Sequence, residues 1–407
     1  MKILIVTPRF LPESFSIGPI AETLVNKGHE VSVLTGRPNY GQWKFYDGYE
    51  KYSKYEIING IKIIRIKEKL RKQNNLSLFL NYLDCRRKFK RELNRLNDDF
   101  DAVVSIGLSP LVCLEFTGKF CKKRKIPNLM YGLDLWPESF VAAEYTHKNS
   151  FLYKLLKKYS IKIYKQFDEI AYASPSACEY IKKTLKINTY FKHIYQPCLT
   201  KLPNDFDKIA HEYMKDGKLH VLYCGTIARF IHLDLIIDAI STLPNKNQIV
   251  FDVVGSGIEY ERMIKRVNEK NLSHIVKFHG RVTKEKTIDY YKNADIFYCP
   301  LYWNCETSNM IPQKVIEYLM YGRPILGMIK GDGADLINKA SPQNIICEQS
   351  PEDIAKSLQK YLLYSNDSLS KCGDGNKLFY SKNDRFQLNN VCDELIYELK
   401  HLISNKK

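Results

Sequence analysis

The sequence predicts an α/β protein: two Rossmann-like units in tandem, each built on a parallel sheet. Three observations lead there. Apolar runs of strand length alternate with amphipathic runs of helix length along most of the chain. The alternation breaks once, at about 195–215, where Gln196–Pro197, Pro203–Asn204 and polar neighbours intervene, and then resumes. A length of 407 residues suits two domains, each with its own core.

The first series opens with the strand run Ile3–Val6 and the helix-like run Ile17–Val25. A turn at Gly28 and His29, the latter read as structural, leads into Val31–Leu34. Further strand runs are Ile61–Ile66, Ala102–Ile106, Asn128–Tyr131 and Glu169–Ala173. Parallel βα units place ligands beyond the carboxyl ends of their strands. No Gly-x-Gly-x-x-Gly follows the first strand, which argues against a dinucleotide cofactor. The second series holds His220–Tyr223, Ile249–Val254, Val276–His279, Ile296–Cys299 and Pro324–Met328. Gly225, Gly255 and Gly257 sit just past two of these runs. The expected domains are therefore 1–200 and 201–385, followed by a C-terminal helix within 386–407.

Charge and cysteine use narrow the function. There are 62 basic and 45 acidic residues, a net charge of +17, which implies an anionic partner. Nucleic acid, anionic lipid and phosphorylated sugar all qualify. Residues 65–95 concentrate the charge: Arg65, Lys67, Lys69, Arg71, Lys72, Arg86, Arg87, Lys88, Lys90, Arg91 and Arg95, among Leu76, Leu78, Phe79, Leu80, Tyr82, Leu83, Phe89 and Leu93. Two readings fit: an amphipathic helix on an anionic membrane surface, or a core helix with a basic solvated face. Lys122–Lys125 and the cluster Lys157, Lys158, Lys162 and Lys165 are candidates for the same face. There is no zinc knuckle, recognisable RNA module or low-complexity basic tail, so nucleic acid is not the expected partner. The 11 cysteines are scattered without a Cys-x-x-Cys pair, as reduced cytosolic thiols would be. Met1 is followed at once by the strand-like KILIVT, so no secretory leader is expected. No run of about 18 apolar residues suggests a spanning helix.

The most informative stretch is Ile296–Gly327. It reads as a strand, a loop, a helix opened near Pro312, a turn at Gly322 and a second strand. Lys314 and Glu317 are three residues apart and share one helical face, while Val315, Ile316, Leu319 and Met320 fall largely elsewhere. A cation and a carboxylate near a helix start, just past a strand, suit a phosphorylated ligand bearing hydroxyls. Two solvated charges would have the same spacing.

This stretch resembles the nucleotide-binding signature of retaining glycosyltransferases of family 4, whose usual form is Glu, seven residues, Glu, then a Gly-Pro turn. Glu317 matches the second Glu, in Glu-Tyr-Leu-Met-Tyr-Gly-Arg-Pro. The variant Pro312-x-Lys314-x-x-Glu317-Tyr318 resembles the branch that builds bacterial O-antigens, capsules and exopolysaccharides. The position eight before Glu317 is Asn309, with Glu306 nearby. Either Asn309 takes the place of the first Glu, or an insertion lets Glu306 do so. The resemblance extends over 1–50, 128–140 and 219–337.

The resemblance implies the GT-B architecture, with two Rossmann-like domains facing a central cleft and the helix Phe386–Leu402 packed back on the first domain. On the donor side it implies roles for Gly18 in the loop Pro8–Gly18, for Gly225 and Arg229 in Val221–Asp234, and for Gly255. It adds Arg281, the N–H groups near Ser308–Ile311 (Asn309, Met310 and Ile311 among them), Lys314, and Glu317 on the ribose hydroxyls. Family members usually carry a Lys after Arg229; here Ile231 or His232 stands there. Arg229 and Lys314 would take the diphosphate charge. Asp134, in Tyr131–Ser139, stands where many members place a His, as a base or as a positioning carboxylate. Tyr40, Trp136 and Glu138 would lie on the acceptor side.

The implied reaction moves a sugar from a nucleotide-sugar donor, a UDP-sugar, to a hydroxyl with retention, needing no metal and no cofactor. The implied acceptor is a glycan; the basic amphipathic region suits a lipid-linked one, with polyprenyl diphosphate one carrier that would fit. The implied location is cytoplasmic, peripheral on the inner face of the plasma membrane. A UDP-sugar 2-epimerase of the same architecture is the alternative, and a basic nucleic-acid-binding protein the more distant one.

Overall fold

The computed structural model describes residues 1–40, 44–70, 75–203, 206 and 211–406; Arg71, Lys72 and Asn204 fall outside that set, as do the side chains of Leu76 and Leu78. The chain forms two compact units. One comprises Met1–Val141, Thr146–Leu199 and Arg385–Lys407; the other comprises Ala142–Tyr145 and Thr200–Asp384.

The first unit carries strands β1 (Lys2–Val6), β2 (Glu30–Thr35), β3 (Tyr55–Ile58), β4 (Ile61–Arg65), β5 (Ala102–Gly107), β6 (Asn128–Gly132), β7 (Glu169–Tyr172) and β8 (Tyr190–His193). Their order is β3-β4-β2-β1-β5-β6-β7-β8. Only β3 runs antiparallel, on β4. β5 and β6 are buried along their whole length, the signature of parallel strands covered on both faces. β3 and β8 read poorly from sequence because their residues are alternately exposed and half-buried. The β3–β4 hairpin has a local signal all the same: Asn59 and Gly60 both hold positive φ (49° and 79°), as a two-residue hairpin turn requires.

The second unit carries β9 (Leu219–Cys224), β10 (Ile249–Val254), β11 (Val276–Gly280), β12 (Ile296–Pro300), β13 (Ile325–Met328) and β14 (Ile345–Ile346). The order is β11-β10-β9-β12-β13-β14, with every pairing parallel. Because β10 lies on one side of β9 and β12 on the other, the winding direction reverses at β9. Ligands of open α/β sheets settle at the carboxyl ends of strands at such a reversal.

The last helix, Leu388–Lys406, buries Val391, Cys392, Leu395, Ile396, Leu399 and Leu402 in the core of the first unit, together with Ile17, Ile20 and Leu24 of the helix Ile17–Asn26. Each such side chain stabilises by roughly 1.5–3 kcal/mol. Lys27 pairs with Asp393 at 2.8 Å, and Lys406 with Asp168 at 2.6 Å.

The basic region 65–95 is a core element. Arg65 is a β4 residue, buried and paired with Glu56. In the helix Asn75–Arg95, Cys85, Phe89 and Leu93 are buried. Its cations are largely matched: Arg86 with Glu115, Lys88 with Asp84 (2.6 Å), Arg91 and Arg95 with Glu92 (3.3 and 3.5 Å). The helix packs on the core of the first unit; among its large apolar side chains described, Phe79 and Leu80 are exposed, as is Leu70 before it. Among the described residues no helix is long and apolar enough to cross a membrane.

β7 and the last helix also share a carboxyl pair. Burial, and then the charge of Glu398, push Glu169 up to about 7. Lys192, 2.9 Å from Glu398, opposes the shift. A carboxyl raised above its unfolded value favours folding below that value and loses the contribution as pH rises through the folded one. Melting temperature should therefore fall between about pH 4.5 and 7, from the unfolded to the folded pKa. Glu169→Gln should flatten that fall and gain on the order of 2 kcal/mol at pH 8, measured by thermal melts across that range and at pH 8.

Candidate functional site

The reversal at β9 gathers a set of loops in the second unit. Gly225 follows β9 with φ 151°, and Gly255 follows β10 with φ 137°. Gly225 N–H donates to Val254 O (2.8 Å), and Gly255 N–H to Gly280 O (2.8 Å). A Cβ on Gly255 would strike the Gly225 carbonyl, and one on Gly257 the Ile227 backbone. The turns after β9, β10 and β11 thus lie backbone on backbone, at spacings only glycine permits.

The helix Gln313–Tyr321 meets this set with its first turn. Pro312 precedes it in extended geometry, and Gly322 ends it with φ 65°. Val315, Ile316, Leu319 and Met320 are buried with Tyr318 and Tyr321, which fixes the helix on the sheet. Lys314 is left to reach sideways. Its Nζ stands 3.9 Å from the centre of the Tyr223 ring, where a ring face attracts a cation. A Cβ on Gly225 would collide with the same ammonium group. Lys314 and Gly225, 89 positions apart in sequence, are thereby brought into contact. Tyr223, which sequence reasoning passed over, is held by its hydroxyl donating to Thr226 O (2.6 Å).

Glu317 lies one turn along. Thr200 Oγ1 donates to its Oε1 at 3.3 Å. Burial raises its pKa, against the Thr200 hydrogen bond and the charge of Lys314. Asn309 and Glu306 are joined: Asn309 Nδ2 donates to Glu306 Oε2 at 2.9 Å, in the single 3-10 turn Glu306–Asn309. Gly331, with φ 64°, lies against the Asn309 backbone, a packing constraint the motif did not reveal.

Two expectations for this loop need correction. Ser308 N–H donates to Cys305 O (3.2 Å) and Met310 N–H to Thr307 O (3.1 Å). Both amides close the turn and are not directed at a ligand. Ile311 is half-buried just before Pro312. Arg229 opens the turn Arg229–Ile231 and is about half exposed, 3.6 Å from Glu144 and 3.7 Å from Glu259. Ile231 is buried, and His232 stacks on Tyr302 at 3.8 Å and stands 3.5 Å from Asp234. Neither Ile231 nor His232 thus stands as a free cation beside Arg229. Arg281 is exposed in the turn after Gly280, whose φ is 66°.

In the first unit, Gly18 lies inside the first turn of its helix, and the space its side chain would need is filled by Leu11, 2.6 Å from a would-be Cβ. Packing against Leu11 thus gives one reason for glycine at this position. Tyr40 is exposed, with its N–H on Glu13 Oε1 (2.8 Å) and its ring edge-on to Phe15 (4.9 Å). Asp134 follows β6; its Oδ2 accepts from Ser109 N–H at 2.9 Å, and burial raises its pKa.

Trp136 and Glu138 are further corrections. The Trp136 ring is buried against Phe140 (4.7 Å), and its Nε1 donates to Ser109 Oγ (2.7 Å). Glu138 is buried and accepts hydrogen bonds from Tyr153 and from Tyr180 (2.7 Å). Both brace the first unit and neither offers a surface to an acceptor. Among the described residues, no group of three or more His, Cys, Asp or Glu is placed to hold a metal ion.

The glycine contact can be tested by itself. Gly225→Ala should keep the fold but lower stability by about 1–3 kcal/mol, through an unfavourable φ and displacement of Lys314. A denaturant melt showing no loss would mean that the loop relaxes freely.

Residues 205–377 match the family model described as Glycosyl transferases group 1. No curated protein matches. Among solved structures, sucrose-phosphate synthase from Thermosynechococcus elongatus is similar, with 15% identity, a TM-score of 0.75 and 100% of both chains covered. HepE of Anabaena, in complex with UDP and glucose, is similar over 98% of this chain and 100% of its own, with 12% identity and a TM-score of 0.67. WaaG, a glycosyltransferase involved in lipopolysaccharide biosynthesis, shows 16% identity and a TM-score of 0.68 over 97% and 99% of the two chains. The fold is GT-B, residues 205–377 carry a group 1 glycosyl transferase domain, and the chain is a glycosyltransferase.

Proposed function

We propose that the enzyme transfers the sugar of a UDP-sugar, with retention, to a hydroxyl of a lipid-linked glycan in bacterial surface polysaccharide synthesis. The observation that carries this reading is the Lys314 ammonium resting on Gly225 and Tyr223, with Glu317 one helical turn away. It puts a positive charge beside closely packed strand-end loops and a helix start, where a diphosphate binds well. The carboxylate stands where ribose hydroxyls would follow. HepE has been solved with UDP-glucose, which favours uridine as the base, and WaaG acts in lipopolysaccharide biosynthesis.

In the proposed reaction the bond from the sugar C1 to the diphosphate oxygen breaks, with oxocarbenium character. The electron pair goes to the departing UDP. Lys314 and Arg229 stabilise that charge, each worth roughly 3–4 kcal/mol when well placed. The acceptor hydroxyl attacks C1 from the same face and passes its proton to a diphosphate oxygen. Asp134 is the candidate carboxylate for orienting a reacting hydroxyl; its raised pKa also suits a base. The transfer as proposed uses no metal. The acceptor is assigned to a polyprenyl diphosphate carrier at an anionic membrane surface on the cytoplasmic side.

A thermal-shift panel of UDP, GDP, ADP, CMP, NAD and a short RNA, without and then with magnesium, tests the donor. UDP alone should raise the melting temperature, without metal. Lys314→Ala and Glu317→Ala should each weaken UDP binding by roughly tenfold or more. A shift with GDP or ADP would replace the donor. A shift with RNA alone would overturn the substrate class. Unchanged UDP affinity in Glu317→Ala would remove that carboxylate from the site.

A further inference from the structure

The basic helix Asn75–Arg95 pairs most of its cations with carboxylates of the first unit; another element of that unit does so less. The helix Phe151–Tyr164 leaves Phe151 82%, Leu152 46% and Leu155 55% exposed. Residues 151, 155, 158 and 162 follow one another at steps of four, three and four, so Phe151, Leu155, Lys158 and Lys162 share one face. That face is apolar over its first half and cationic over its second.

The cationic half runs into a cavity of about 720 Å³. Lys119, Lys122, Lys125, Lys162, Lys165 and Lys406 line it, with Asp168 the one carboxylate. Asp168 is taken by Lys406 (2.6 Å), and Lys162 reaches Glu115 (3.3 Å). Lys119, Lys122, Lys125 and Lys165 make no ion pair among the described residues. The cavity sits at the amino end of β6 and just before β7, where Asn128, Phe167 and Asp168 lie. Asp134 is past the carboxyl end of β6, so the cavity is at the opposite edge of the sheet. An anion held there is not the reacting substrate.

We infer that this face docks on an anionic bilayer: Phe151, Leu152 and Leu155 enter the headgroup boundary while the lysine-lined cavity takes lipid phosphates. From Phe151 to Lys165 the helix direction spans about 20 Å, room for several headgroups. A soluble phosphate would account for the lysines but not for three exposed apolar residues beside them. Apolar insertion next to unpaired cations is what an anionic membrane interface rewards. The inference deepens the membrane element of the function proposed above and rests on it.

Full-length protein is sedimented with vesicles of phosphatidylcholine alone and of phosphatidylcholine with about one third phosphatidylglycerol, at low and high salt. The wild type should bind the anionic vesicles and release them as salt rises. Phe151→Ser with Leu155→Ser, and separately Lys122→Glu with Lys165→Glu, should each lose roughly tenfold or more in partitioning. Melting temperature and the UDP-induced shift of both variants should match the wild type, which separates loss of docking from loss of fold or of donor binding. Wild type that stays in solution with anionic vesicles overturns the membrane reading itself. Wild-type binding that both variants keep overturns this face and leaves the membrane reading standing. Loss in the lysine variant alone overturns the apolar insertion. Stabilisation by inorganic phosphate or pyrophosphate, without vesicle binding, overturns the bilayer as the source of the anion.

Discussion

The second unit depends on the close approach of its strand-end loops. Gly225 bonds back to Val254, Gly255 bonds on to Gly280, and the Gly225 carbonyl fills the place of a Gly255 side chain. This chain of contacts draws the ends of β9, β10 and β11 together and leaves space above Gly225 for one group. Lys314 fills it. Its ammonium is steered there by the Tyr223 ring and by a helix whose other faces are committed to the core. A bulkier residue at position 225 would move the cation, and with it the charge that the proposed chemistry needs.

Charge in this protein divides into what the fold uses and what it leaves over. Arg65, Arg86, Lys88 and Arg95 are matched to carboxylates inside the first unit. Pairs of this kind, once partly buried, do more to fix geometry than to add stability. They remove much of the basic run 65–95 from any role with a partner. The lysines around the cavity at the amino end of β6 differ, since most have no carboxylate to meet. A sequence count of net charge cannot separate the two populations. Which carboxylate comes near which cation is a tertiary fact.

The same distinction explains how much was legible beforehand. β1, β5, β6, β9, β10 and β12 are apolar on both faces, so their runs stand out in sequence. The helix Gln313–Tyr321 was legible for its Pro before, its Gly after and its apolar spacing. What sequence could not supply was direction. Trp136 and Glu138 follow the carboxyl end of β6 as expected, yet Trp136 turns to Ser109 and Glu138 to Tyr153 and Tyr180, partners 15 to 42 positions away. At Gly18 the packing of Leu11, seven positions earlier, was likewise invisible in sequence. The Asn59–Gly60 hairpin is a different case: its signal was local and sufficient, and a search for parallel strands passed over it.

The departure at Asn309 also takes a physical form. A motif with two acids eight positions apart would bring two like charges to one small site, and a buried carboxylate with a like-charged neighbour is pushed toward its neutral form. Here the neighbouring position is an amide, and it donates to Glu306. The pair Asn309–Glu306 thus holds a carboxylate by a side-chain amide in the turn that precedes the helix carrying Lys314 and Glu317. The turn that carries the pair is itself closed by its amides at Ser308 and Met310, which donate to Cys305 and Thr307.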